Sequence, residues 1–262
     1  MPYVTEVLLW RYRSVLRMLV VRDLHVKYRQ LRLGYVWAIL EPLGMSVTMW
    51  FVFEVLLGGK KLGLQPYYLF LTVAILPWWW FVNSISGSTR VFIGQNRTLS
   101  VSQLPTQFGV VRVLVARAAD FVLSLPLIVV AMLITWTFPT GLIALFPIAM
   151  LIQFSLMYGL GLLVASVSAM IPDIARIIRI VLRAAFYLTP VLYSLTNVPE
   201  GARALTYINP LVGILGLYRM AWWPEEHEGW EAYATSFTVI LVLMVIGFAT
   251  FRRFERKILK AA

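Results

Sequence analysis

Cysteine is missing from the 262 residues altogether, which excludes disulfides, thiolate metal sites and cysteine nucleophiles. Charge is scarce: 13% of the chain is Asp, Glu, Lys or Arg, against about 25% in an ordinary soluble protein. Acids number only 12, and there are two histidines. No G-x-x-x-x-G-K-[ST] phosphate loop occurs; Gly58-Gly59-Lys60-Lys61 is not one, so the chain hydrolyses no ATP through a P-loop of its own. Neither an internal repeat nor a low-complexity tract is visible. What is present is apolar, 60% of all residues, with a mean hydropathy of +0.80. A soluble fold of this size would lack the polar surface to cover itself, so the solvent is a bilayer.

Length then divides the apolar sequence, since about 20 residues cross a bilayer as a helix. Spans are expected at residues 35–57, 62–89, 110–136, 142–170, 174–195 and 232–251, with the second helix starting near Pro66. The uncharged run from Phe121 to Pro172 holds two of them, and Phe138-Pro139-Thr140-Gly141 supplies the break. Glu41 and Glu54 lie near the two ends of the first span, where Glu54 can reach headgroups. Arg117 and Asp120 lie one turn apart in the third and can pair. Residues 204–218 are apolar but too short to cross, and Asn209-Pro210 cuts them. They read as two short helices that dip into the outer leaflet and return, inside a re-entrant segment 197–224. Such backbone is tolerated only where protein buries it, usually beside a cavity.

The first 34 residues do not read as a signal peptide, because Arg11, Arg13, Arg17, Arg22, Lys27, Arg29 and Arg32 are spread along them. They read as an amphipathic helical segment on the membrane surface. Leu8, Tyr12, Val15 and Leu19 recur at helical spacing, opposite Glu6, Arg13 and Arg17. Val21, Leu24, Tyr28 and Leu31 then form one stripe, beside Arg22, His25, Arg29 and Arg32. Asp23 and Lys27 complete the polar set. Residues 35–262 form the membrane domain.

The net charge of +11 would point to nucleic acid in a soluble protein. Here it has another reading. With six spans and a cytoplasmic N-terminus, 19 of the 23 basic residues fall inside, and only Lys60, Lys61, Arg203 and Arg219 fall outside. The positive-inside rule therefore places both termini in the cytoplasm, and no nucleic acid is needed.

Catalysis finds little support. Glu225, Glu226, His227 and Glu228 follow Trp222-Trp223-Pro224 and read as a solvated acidic loop, so no metal site is expected. The sequon Asn96-Arg97-Thr98 lies on the cytoplasmic side and carries no meaning there. The long polar link 90–110, with Asn96, Leu99, Ser100, Gln103, Leu104 and Pro105, reads as a loop or a short exposed helix suited to a motor's grip. Trp50, Trp78, Trp79, Phe81, Tyr187 and Tyr193 exceed what an interfacial belt requires. Sugar rings stack on aromatic planes, so these six are candidates for a glycan path.

Four ordered patterns resemble one family, the membrane-spanning subunit of ABC exporters for cell-surface polysaccharides, of the Wzm or teichoic-acid type. They are residues 21–30 continuing to Leu33-Gly34 and Glu41-Pro42-Leu43; Pro77-Trp78 with the link ending Leu104-Pro105; Pro172-Asp173 to Arg176 with residues 188–194; and Asn209-Pro210-Leu211 with Tyr218-Arg219. The resemblance spans nearly the whole chain. It implies a homodimer of six-span subunits in a bacterial inner or plasma membrane, with two copies of a separate P-loop ATPase that carries ATP and Mg. It also implies a polyprenyl-pyrophosphate-linked polysaccharide as cargo, O-antigen, teichoic acid, capsule or galactan. Residues 96–105 would be the coupling helix, the segment Arg22–Arg32 the interface helix, and Asn209, Pro210 and Tyr218 the outer gate. Arg176, Arg179 and Arg183, at i, i+3 and i+7, would attract the lipid pyrophosphate through planar donor forks. The loop from Trp222 to Glu228 matches no element of that family.

A drug or free-lipid exporter remains the nearest alternative. An integral-membrane glycosyltransferase would need paired acids on a defined face, and a secondary carrier would need repeats and titratable groups at the midplane. No cofactor is expected in this chain.

Overall fold

The computed structural model describes residues 12–29, 32–57, 62–93, 105–225 and 229–261. Every regular element among them is helical. In chain order these are α1 (Arg13–Arg29), α2 (Trp37–Trp50), α3 (Tyr67–Ser88), α4 (Phe108–Ser124), α5 (Pro126–Thr135), α6 (Leu145–Met170), α7 (Ile174–Leu188), α8 (Glu200–Tyr207), α9 (Pro210–Arg219) and α10 (Trp230–Ala261). A 3-10 turn, Gly34–Val36, leads into α2, and a π-helical stretch, Phe51–Leu56, continues it.

Five helical stretches are long and apolar enough to cross a membrane: Gly34–Leu56, Tyr67–Ser88, Phe108–Thr135, Gly141–Met170 and Trp230–Glu255. They match the first, second, third, fourth and sixth expected spans. The fifth is different. Its helix α7 stops at Leu188 after 15 residues, about 22 Å against the roughly 30 Å of hydrocarbon. Thr189 is extended because Pro190 follows, and a residue before proline is driven out of the helical region. Residues 189–194 continue without helix.

Local chemistry sets the other boundaries. Pro126 opens α5 and divides the third span, since its ring and missing N–H interrupt the ladder from α4. Trp136, in the left-handed region at φ 51°, ends α5. Asn209 caps α9 by accepting the Leu211 N–H on its side-chain oxygen, with Pro210 at the first helical position. The Asn209-Pro210 break therefore separates two short helices, α8 and α9.

Helix α3 is the axis of the bundle. Apart from a few positions such as Trp79 and Asn83 it is buried along its length, and α2, α4, α5, α6, α7 and α9 pack around it. Pro77 sits inside it, and the carbonyl of that residue receives a second donor, Nε2 of the buried Gln153 from α6, at 2.8 Å. α6 and α10 pack most extensively of all, backbone against backbone at Gly159 and Gly247. Helix association inside lipid depends on such close approach, because apolar side chains gain little by leaving apolar solvent.

Candidate functional site

At one end of the bundle α1 lies against α4. The stripe expected from Val21, Leu24 and Tyr28 is rotated in the structure: Val20 and Tyr28 are the buried residues, and Val21 is exposed. Arg22, His25, Lys27, Arg29 and Arg32 face outward, whereas Asp23 is half-buried. The rotation has an electrostatic cause. Asp23 accepts from Nε and one terminal nitrogen of Arg112, at 2.6 and 2.5 Å, a bidentate pair. Arg22 stands at 3.8 Å from the same carboxylate.

One turn further along α1, Asp120 collects three donors. Lys27 Nζ lies at 2.7 Å, the Tyr28 hydroxyl at 2.8 Å and Arg117 at 3.0 Å. The expected Arg117–Asp120 pair is present, but it is one part of a network that reaches 93 residues back along the chain. Asp120 is 17% exposed. Leaving such a carboxylate without its cations costs about 3–5 kcal/mol when fully buried; Lys27, still 38% exposed, brings this site toward the lower figure. Tyr28 is 2% exposed, and burial, then its bond to Asp120, push its hydroxyl above the ordinary 10, so it stays a donor. The Tyr28 ring lies 4.9 Å from that of Tyr35, and His25 meets Tyr35 edge-on.

Of the expected coupling residues, Asn96, Leu99, Ser100, Gln103 and Leu104 lie outside the described residues. Pro105 is described and half-buried, and its carbonyl accepts the Phe108 N–H that opens α4. Gln107 beside it accepts the Tyr158 hydroxyl of α6 at 3.1 Å.

The six aromatic candidates do not line one surface of the single chain. Trp78 and Phe81 are buried in the core, with Trp78 packed on Phe81 and on Phe186 of α7. Trp50 is half-buried against Tyr68, and Trp79 faces a small cavity shared with Lys27, Glu41, Asn83, Arg117 and Asp120. Tyr193 is half-buried, with its hydroxyl 3.4 Å from the Tyr187 carbonyl. Tyr187 is 68% exposed. It shares one face of α7 with Arg176, Arg179 and Arg183, all exposed and in no ion pair among the described residues.

At the opposite end, side chains hold the non-helical stretch 189–194. Arg219, 4% exposed, donates to the Val191 carbonyl at 3.0 Å and lies 3.7 Å over the Phe70 ring. The Tyr67 hydroxyl donates to the next carbonyl, that of Leu192, at 3.0 Å. Asn209 donates through Nδ2 to the Thr189 hydroxyl, and Leu62 accepts from the Ser194 N–H and from Asn197. Tyr218 is fully buried against Phe146. Asn209 thus belongs to the network that holds this stretch, whereas Tyr218 packs in the core against Phe121 and Phe146. Arg219, counted from sequence among the charges of the outer side, is buried within the protein as a clamp, and only its position beside Tyr218 hinted at it.

No group of three or more His, Asp or Glu side chains able to hold a metal occurs among the described residues. Glu226, His227 and Glu228 lie outside them.

This arrangement defines a multi-pass membrane protein with two separate side-chain networks in one helical bundle. The chain belongs to the ABC-2 type transporter family, whose model matches residues 14–222. Membership implies a partner that binds ATP. The chain is 30% identical over 238 residues, covering 90% of each protein, to an O-antigen export system permease protein of Myxococcus xanthus. It is 22% identical over 244 residues, 89% of each, to a permease protein of the same name from Klebsiella pneumoniae. It is 25% identical over 248 residues, 92% of this chain and 93% of the other, to the polysialic acid transport protein KpsM of Escherichia coli. These relatives are named as permeases and transport proteins, not as enzymes.

Proposed function

We propose that this chain is the membrane subunit of an ATP-driven exporter that moves a polyprenyl-pyrophosphate-linked polysaccharide out of the cytoplasm. It works as a homodimer on two copies of a separate P-loop ATPase in the inner or plasma membrane, with both termini cytoplasmic. The observation that carries this reading is the arginine face of α7. Three guanidinium groups, unpaired among the described residues, stand in line on a helix that otherwise belongs to an apolar bundle. Such charges are costly beside lipid and are retained for a polar partner. A pyrophosphate headgroup suits them, since arginine forks match phosphate oxygens bidentately. Tyr187, one turn beyond Arg183 on the same face, offers a ring on which a sugar can stack.

In this reading Asn96, Leu99, Ser100, Gln103, Leu104 and Pro105 form the ATPase grip, and Asn209, Pro210 and Tyr218 belong to the outer gate. The relatives' printed cargoes, O-antigen and polysialic acid, support a polysaccharide rather than a drug or free lipid. The primary experiment is a mild-detergent pull-down of the tagged chain from its native membrane, with ATPase activity assayed on the eluate. A P-loop ATPase should co-purify, and substitutions around Pro105 should release it. A chain that elutes alone, without ATPase activity, overturns the exporter reading.

A further inference from the structure

Helix α1 meets α4 at two charged contacts, in the same order along both helices. Arg112 grips Asp23; eight residues later on α4, Asp120 holds Lys27 and Tyr28, four and five residues later on α1. Two helices tied at points more than a turn apart neither slide nor rotate past each other while both ties hold. The 90–110 link ends in the first residues of α4, whose start is fixed by the Pro105 carbonyl and the Gln107–Tyr158 bond.

Between the two helices lies a cavity of about 580 Å³, lined by Asp23, Val26, Lys27, Val113, Arg117 and Asp120 among others. The two backbones also approach one another closely, but across this opening it is the side-chain charges that bridge them. Asp120 also has a sufficient partner on its own helix in Arg117. Its bonds to Lys27 and Tyr28 are thus not demanded by neutralisation alone, and what they add is a tie to a second helix.

We propose that Asp23 and Asp120 are positioning residues that make α1 and α4 one rigid lever. A stroke delivered to the 90–110 link by the ATPase then turns the interface helix and the third span together. This rests on the reading of that link as the ATPase grip.

The test uses the complete complex in proteoliposomes, measuring exported glycan per ATP hydrolysed. Asp23→Asn combined with Asp120→Asn should lower that ratio by about tenfold, near the upper range for residues that carry coupling, while hydrolysis continues. Exchanging the charges, Asp23→Arg with Arg112→Asp in the wild-type background, should keep the ratio near that of the parent, as Asp23→Arg alone should not. Because the chain has no cysteine, Val26→Cys and Val113→Cys, which line the cavity from α1 and α4, can be joined by a reducible bis-thiosulfonate reagent of matching length. The joined complex should export as well as the unjoined one, since a rigid lever loses nothing by being locked. Export that stops on joining and resumes on reduction overturns the proposal, as does a double Asn variant with the parent's ratio. The unmodified complex is assayed in parallel; if it exports nothing, the exporter reading fails, and the lever with it.

Discussion

Gly159 and Gly247 show how little room the bundle leaves. A methyl group on Gly247 would overlap the Gly159 carbonyl oxygen, and one on Gly159 would lie 2.7 Å from the Met244 Cα. Both obstacles are backbone, so no side chain can swing aside. Gly247→Ala should destabilise the protein by about 1–3 kcal/mol or more, as overpacking does, and lower its melting temperature in detergent. Gly44→Ala, with nothing within 4 Å of the new Cβ, is the control and should melt like the parent. At this scale legibility was uneven. Asn209-Pro210 announced a break by residue type alone, and the structure adds that Asn209 caps the second helix. The partners of Arg219 and Gln153 were not legible, because each is a carbonyl distant in sequence, that of Val191 and that of Pro77.

Among the elements, α7 departs most from expectation. A 22-residue span was read from hydropathy, yet the helix ends at Leu188, where Pro190 intervenes. The unwound residues survive because Arg219, Tyr67 and Asn209 reach them, as irregular backbone at membrane depth requires. The arginine periodicity was legible and does lie on one exposed face. Replacing Arg176, Arg179 and Arg183 together with Gln should lower substrate-stimulated ATP hydrolysis more than basal hydrolysis, measured on the reconstituted complex. Equal loss of both would remove the pyrophosphate role and leave these residues as ordinary inner-side charges. Helix α1 was also legible as a helix, but its rotation was not. Hydrophobic spacing put Val21 and Tyr28 inward; Tyr28 is buried as expected, whereas Val20 takes the place of Val21 beside the Asp23–Arg112 and Lys27–Asp120 pairs.

For the whole molecule, the number of crossings and the orientation are linked. If α7 and the stretch after it carry the chain across, six crossings put both termini on one side; if they do not, five put them on opposite sides. The charge distribution favours six. Reporter enzymes active only in the cytoplasm, fused to either terminus in separate strains, should both be active. Activity at one terminus alone would mean that α7 turns back, and that the 189–225 region belongs to the same side as its start.

Composition and periodicity by themselves determined that this chain is an all-helical bundle in a bilayer, where five of its spans begin and end within a few residues, and where the two short helices around Asn209-Pro210 break. Those properties follow from local physics: hydrocarbon thickness, the missing N–H of proline, and the cost of charge in lipid. Only the tertiary structure decided which charges pair between helices, which way α1 faces, and that Arg219 is buried. Each of these depends on a partner tens of residues away, whose distance in space no local pattern encodes.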